Sequence, residues 1–399
     1  MVLVFTGGCT SSSGNSARSD GSADSSSSSS SGSSSSSTSK ATTTTIPKPK
    51  TVPYPTPPGV KVKTQPSGFV ITKTPKGAKP PQIIVASFDG AGWHEKWQFW
   101  QSLQEEVPFH FTGFLSGTYL LSEATKDKYV GPGHNPGISS IAWTKPEDVP
   151  IEIKDLNRAL SRGDEIGSHF NGHFCSGVTS PVGSWSTADW NNEMDQFNSF
   201  ITNVNANNGI DEKLDLVPGD IKGVRTPCLE GQPTQMYPAF QSHGIVYDSS
   251  VTRSGLLWPE KDAQYGIWQM GMSTFPMFGG GRPLITMDYN FYYRQHQASS
   301  DGVTPEQSKA DSAVVLGTYR DMYHAAFTGN RAPIILGNHF NSWNNDAYQN
   351  AMADFIKEAC GKPQTYCVPF IDLVTWMESQ DPAYLADLQA LPAEMGPRP

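Results

Sequence analysis

Two histidines, His169 and His173, lie in the stretch Glu165-Ile166-Gly167-Ser168-His169-Phe170-Asn171-Gly172-His173. Imidazoles at positions i and i+4 of one helical turn point the same way, so two nitrogens can reach a single metal ion. On spacing alone, a polar loop with two solvated histidines is the commoner outcome. Three more residues add weight: Asp89, Arg225 and His339. Like the histidine pair, each stands at or just after the end of a run that reads as a strand.

Those runs define the frame. Ile83 to Asp89 is a continuous apolar run closed by an acid, the pattern of a strand buried on both faces. Helical spacing follows from His94 to Glu106, then a strand within Phe109 to Leu121. Residues 122–150 read as a long loop, and Leu156 to Leu160 as a short helix before the histidine stretch. Trp185 to Asn207 is a helix with Ser186 as its N-cap. Strands are expected at Ile221–Arg225, Gly244–Asp248, Ile267–Phe275, Leu284–Met287, Pro333–Leu336 and Val368–Ile371. Helices are expected at Pro233–Phe240, Gln307–Phe327, Asp346–Ala359 and Leu373–Ser379. Alternation of this kind implies α/β architecture, a parallel sheet with helical crossovers, most simply a barrel. Active sites of such barrels gather at the carboxyl ends of the strands, where all the singled-out residues fall.

Of 399 residues only 17% are charged, the net charge is −9, and Lys and Arg form no long run. This argues against a nucleic-acid partner. Ten Trp and fourteen Tyr suit an extracellular protein that meets sugars. No apolar stretch is long enough for a transmembrane helix. Residues 1–9 end in Thr6-Gly7-Gly8-Cys9 and resemble the cleavage box of a bacterial lipoprotein, with Cys9 as the lipidated residue. The basic start of such a signal is missing, and Thr6 stands where Leu is usual. Residues 10–81, first Ser-rich and then Pro-rich, read as a disordered linker, a leash holding a domain at the cell surface. The expected domain is 82–380, and 381–399 a tail.

The motifs resemble those of the polysaccharide deacetylases, the NodB-homology group or carbohydrate esterase family four. Thr-Phe-Asp-Asp-Gly appears as Ser87-Phe88-Asp89-Gly90-Ala91, and His-Ser/Thr-x-x-His as His169-Phe170-Asn171-Gly172-His173. Arg-x-Pro-Tyr/Phe appears as Arg225-Thr226-Pro227-Cys228, and the last motif as Leu336-Gly337-Asn338-His339. Tyr247 to Ser250, Trp268 to Met270 and Phe370 to Met377 look like the chitin deacetylase branch. The resemblance implies a distorted (β/α) barrel and a metal-dependent hydrolase that removes acetyl groups from N-acetylated or O-acetylated extracellular polysaccharide, such as chitin oligomers or peptidoglycan. It implies a divalent metal, usually Zn2+, on His169 and His173, with Asp89 as base or ligand, Arg225 as its partner and His339 as general acid. It also implies an acid partner for His339, with Asp288 and Asp248 as candidates. The departure is Gly90, where the family has its second Asp, the third metal ligand. His94, His110, Asn171 and Asp248 are conceivable substitutes. The alternative is a catalytically silent carbohydrate-binding relative. Trp93, Trp143, Trp258 and Trp343 could stack on sugar faces.

Beyond Cys9 the chain has Cys175, Cys228, Cys360 and Cys367, an even number that suggests disulfides in an exported protein. Cys360 and Cys367 flank a short loop and are expected to pair. Cys175 and Cys228 would pair if the loops after His173 and Arg225 meet. The rival is a Cys/His metal site using one of them.

Overall fold

The computed structural model describes residues 50–55 and 63–396. Its strands in chain order are β1 (Lys63–Thr64), β2 (Val70–Ile71), β3 (Gln82–Gly90), β4 (Thr112–Leu115), β5 (Glu165–Ser168), β6 (Gly223–Val224) and β7 (Tyr247–Asp248). They continue with β8 (Thr252–Ser254), β9 (Glu260–Lys261), β10 (Trp268–Gln269), β11 (Met272–Phe275), β12 (Leu284–Ile285), β13 (Ile334–His339) and β14 (Thr365–Cys367). The helices are α1 (His94–Leu103), α2 (Val149–Arg162), α3 (Thr187–Asn208), α4 (Pro233–Ser242), α5 (Asp288–His296), α6 (Pro305–Thr328), α7 (Trp343–Ala359), α8 (Phe370–Ser379) and α9 (Pro382–Gln389).

The main sheet runs β13-β3-β4-β5-β6-β7-β10-β9, and β14 pairs with the first half of β3. All of its pairings are parallel except β10 with β9. β3 is the axis because Ile83 to Ala86 and Phe88 are wholly buried, which only a strand covered on both faces achieves. The sheet curls. In a flat sheet β6 would lie four strand spacings from β13, about 19 Å. Yet Arg225, just after β6, brings Nη1 to 3.2 Å from where a Cβ on Gly337 of β13 would stand. The result is a distorted (β/α) barrel, open between β13 and β9. A three-stranded sheet, β12-β11-β8, lies against β13 near this opening.

Register sets the level of the rim. His339 pairs with Asp89, Gly90 with Leu115, Leu115 with Ser168, and Ser168 with Val224. The chain therefore places Asp89, His169, Arg225 and His339 at one level on the carboxyl end of the sheet.

Several elements differ from expectation. α2 is a full 14-residue helix, stopped by Gly163 at φ 96°, where only a short helical stretch was expected. The apolar run Val368–Ile371 is no strand, because β14 ends at Cys367 and α8 begins at Phe370. α5 and α9 are additions. Ser186 does cap α3, in a reciprocal capping box with Asp189.

The folded part also extends beyond 82–380. β1 and β2 form an antiparallel ribbon, Tyr54 and Phe69 are buried in the core, and the Tyr54 hydroxyl donates to the Cys367 carbonyl. Pro-, Lys- and Thr-rich composition masked those two aromatic anchors within the predicted linker. At the other end, Leu256 and Glu394 exchange backbone hydrogen bonds of 2.9 and 3.1 Å, so the expected tail is tied down. Cys9 and the Ser-rich tract lie outside the described residues. Among those described, no helix is long and apolar enough to cross a membrane.

Candidate active site

Arg225 organises the rim. Its side chain is fully buried, and every nitrogen of the guanidinium has a partner. Nη1 donates to Asp89 Oδ1 at 2.7 Å, Nη2 to Ser87 Oγ at 2.8 Å and Ser249 Oγ at 2.9 Å, and Nε to the Ser249 carbonyl at 3.3 Å. The cation also lies 4.6 Å from the Phe114 ring centre. Burial alone would raise the Asp89 carboxyl, but Arg225, aided by His169 and His339, outweighs it and holds the group below its ordinary range. Asp89 is thus an ionised, nearly buried carboxylate. Ser87 and Ser249 were not foreseen; Ser87 lies two residues before Asp89 on the same strand face, a signal that alternation could have supplied.

Across the strand pair, His339 is clamped by Asp288, the first residue of α5. The His339 backbone N–H donates to Asp288 Oδ2 at 2.7 Å, and ring Nδ1 lies 2.7 Å from Oδ1. A carboxylate there makes Nδ1 the protonated nitrogen and turns Nε2 outward. Burial opposes protonation, but Asp288 outweighs it and raises the imidazole above its ordinary pKa. The His339 side chain keeps 26% exposure, an opening to solvent. Of the two predicted partners, Asp288 is the one in place. Asp248 is buried elsewhere, accepting from Ser250 and Tyr237.

The histidine pair sits on a loop, not on a helical turn. Phe170 and His173 hold left-handed backbone, at φ 60° and 56°, and the two rings still converge to 5.1 Å between centres. The loop is tied from outside. Buried Glu193 of α3 accepts from the Asn171 N–H at 3.1 Å and from the Tyr129 hydroxyl, which itself accepts from the Gly172 N–H at 3.0 Å. Neither Glu193 nor Tyr129 carries any local sequence signal of this task. His169 Nδ1 donates to the Arg225 carbonyl at 2.8 Å, leaving Nε2 as an unprotonated donor atom. Burial lowers both imidazoles, His173 to about 3, so both are neutral at ordinary pH.

Neutral imidazoles of this kind fit a divalent metal. Asp89 does not complete the set. Among the described residues, the three-residue group whose ligand atoms all lie within 4.8 Å of one another is His173, Cys175 and Cys228, and not Asp89, His169 and His173. Arg225 holds Oδ1 of Asp89 at 2.7 Å. The predicted substitutes are engaged elsewhere: His94 pairs with Asp155, His110 lies 3.4 Å from Asp164, and Asn171 donates through Nδ2 to the Glu193 carbonyl while its Oδ1 packs against Gly117. Gly90 has φ 87°, and a Cβ there would stand 3.8 Å from both Trp93 and Tyr119.

Cys175 is bonded to Cys228, and Cys360 to Cys367, as expected. The first bridge joins the loop after His173 to the turn after Arg225. Trp93 is 42% exposed beside Gly90, and Trp343 touches the His339 ring at 5.0 Å between centres. Trp258 is instead a core residue stacked on Trp376, and Trp143 packs near Tyr129.

No family model and no curated protein matches the chain. Among solved structures it is similar to a candidate polysaccharide deacetylase from Mycobacterium smegmatis, at 14% identity over 82% of this chain and 99% of that one, with a TM-score of 0.48. A family 4 acetyl xylan esterase from Clostridium thermocellum, solved with a cobalt ion, matches at 12% identity, 74% and 92% coverage, and TM-score 0.34. A family 4 pseudoenzyme from Bacillus anthracis matches at 10% identity, 73% and 64% coverage, and TM-score 0.37.

Proposed function

We propose that the chain is a hydrolase that removes acetyl groups from an extracellular acetylated polysaccharide, with chitin-like N-acetylated oligomers as the first substrates to try. The observation that carries this reading is the pairing of two opposed proton-handling groups at one level of the rim, ionised Asp89 and Asp288-supported His339. A divalent ion held by His169 and His173 would lower the pKa of a water and polarise the acyl oxygen.

The chain's own residues do the rest. Asp89, kept ionised by Arg225, takes a proton from the attacking water through Oδ2, the oxygen that Arg225 leaves free. The water oxygen bonds to the acyl carbon, and the carbon–nitrogen bond breaks. His339 gives its Nε2 proton to the departing amine. The products are acetate and an amino sugar. Trp93 and Trp343 offer apolar faces to sugar rings on either side. Cell-surface attachment through Cys9 would place this chemistry at an envelope polymer.

The test is acetate release from N-acetylglucosamine oligomers, with and without added Zn2+ or Co2+. Release that a chelator stops, and that falls about 10²–10⁴-fold in Asp89→Ala and His339→Ala, supports the proposal. Gly90 favours a second reading, a silent sugar binder. Oligomer binding by calorimetry, with no release under any metal, would establish that instead.

A further inference from the structure

The two disulfides differ in what surrounds them. Cys360 and Cys367 are 7% and 0% exposed. Cys228 is exposed, Cys175 is half-buried, and thiols in solution can reach the bond between them. Beside that bond lies His173, whose Nδ1 is 3.5 Å from Cys175 Sγ. All three ligand atoms lie within 4.8 Å of one another. Both loops hold left-handed non-glycine residues here, His173 at φ 56° and Cys228 at φ 55°.

We infer that Cys175, Cys228 and His173 form a redox-gated site for a thiophilic divalent cation such as Zn2+. In the oxidised chain the sulfurs are bonded to each other and offer no thiolate. A dithiol reductant transfers two electrons and two protons to the bridge, the sulfur–sulfur bond breaks, and the reductant becomes a cyclic disulfide. Each thiol then gives up its proton as it binds the cation. Zn–S bonds of about 2.3 Å and a Zn–N bond of about 2.0 Å set ligand separations of roughly 3.5–3.8 Å in a tetrahedron. The His173–Cys175 separation already has this value, the third ligand atom is within 4.8 Å of both, and the two sulfurs must part to reach it. The fourth position is left to water. The site does not depend on the deacetylase reading, but it draws on His173, so reduction and the candidate rim metal are coupled through one residue.

The test uses the full chain reduced with a phosphine, desalted without air and titrated with Co2+. The expected result is a sulfur-to-cobalt charge-transfer band that saturates at one equivalent and is erased by Zn2+. The oxidised chain gives no band. The Cys175→Ser, Cys228→Ser double variant loses it, and Cys360→Ser, Cys367→Ser retains it. His173→Ala weakens cobalt binding at least roughly tenfold, the loss seen when even a supporting group of a metal site is removed. If the double variant does not fold, reduced chain alkylated at Cys175 and Cys228 replaces it. A reduced chain without the band, or a band that survives loss of Cys175 and Cys228, overturns the inference. Cobalt bound without sulfur transitions would report the rim histidines alone and equally exclude this site.

Discussion

The two halves of the rim are built to different standards. Around Asp89 and His339 the chain supplies a network from four separate segments: Ser87 on β3, Arg225 after β6, Ser249 after β7 and Asp288 on α5. Around His169 and His173 it supplies two imidazoles and, where a third ligand would stand, a glycine beside two aromatic rings. Both sides are thus held by hydrogen bonds from the fold, through the Arg225 carbonyl, Glu193 and Tyr129 on the histidine side, but the candidate metal side has Gly90 where a third ligand would be expected.

The largest expected effect comes from breaking the better-built half. Arg225→Met keeps the volume but strands a buried carboxylate and removes the donor to the hydroxyls of Ser87 and Ser249. Stability should fall by about 3–5 kcal/mol, read from denaturant midpoints, and acetate release should vanish. If Arg225→Met is as stable as the wild type, Asp89 is not held as an ion.

Arg225 and Asp89 were legible in the sequence because strand ends follow from apolar runs, and strand ends are where a curled parallel sheet gathers its side chains. The partner of His339 was not, since Asp248 and Asp288 are equally acidic and equally close to predicted strands. The choice depends on the path of β12 into α5, a long-range matter. The left-handed histidine loop was hidden for the same reason, because its shape is imposed by Glu193 and Tyr129 from distant parts of the chain. The Val368–Ile371 run misled because four apolar residues suit a buried strand or a buried helix start equally.

The weaker half can be sharpened instead of broken. Gly90→Asp would supply the missing carboxylate with its Cβ in ordinary contact with Trp93 and Tyr119, at a cost of about 1–2 kcal/mol for a left-handed non-glycine residue. Metal affinity, by calorimetry, should rise at least about tenfold, and His169→Ala should cancel the gain. Unchanged affinity would mean the rings of Trp93 and Tyr119 close the space.

A smaller effect separates Asp89 from His339 by pH. Asp288→Asn removes the charge that raises His339, so its pKa drops. An acid that must be protonated then fails at lower pH, and the alkaline limb of the rate profile should move down. The acid limb, set by Asp89, should stay in place. A limb that does not move would remove His339 from the proton path.

The smallest effect lies away from the rim. Burial pushes Glu165 from 4.5 up to about 7, despite bonds from Thr112, Tyr247 and the Ile371 N–H. A carboxyl raised in the fold binds its proton more tightly folded than unfolded. Its contribution is therefore largest below about 4.5 and is lost as pH rises towards about 7. The Tm should fall between pH 5 and pH 8, and Glu165→Gln should flatten part of that slope without shifting the rate profile.

The amino-terminal attachment has a mechanical consequence. Val52 donates to the Gln104 carbonyl, Lys50 accepts from Arg162, and Tyr54 reaches the Cys367 carbonyl beside the first half of β3. All of these lie toward the amino ends of the strands, away from Asp89. A pull arriving through Lys50 is borne by Tyr54, Phe69 and the β1–β2 ribbon, and its line of force runs into the base of the barrel. Asp89, Arg225 and His339 make none of these contacts, so a pull on Lys50 would meet the base of the barrel before the rim.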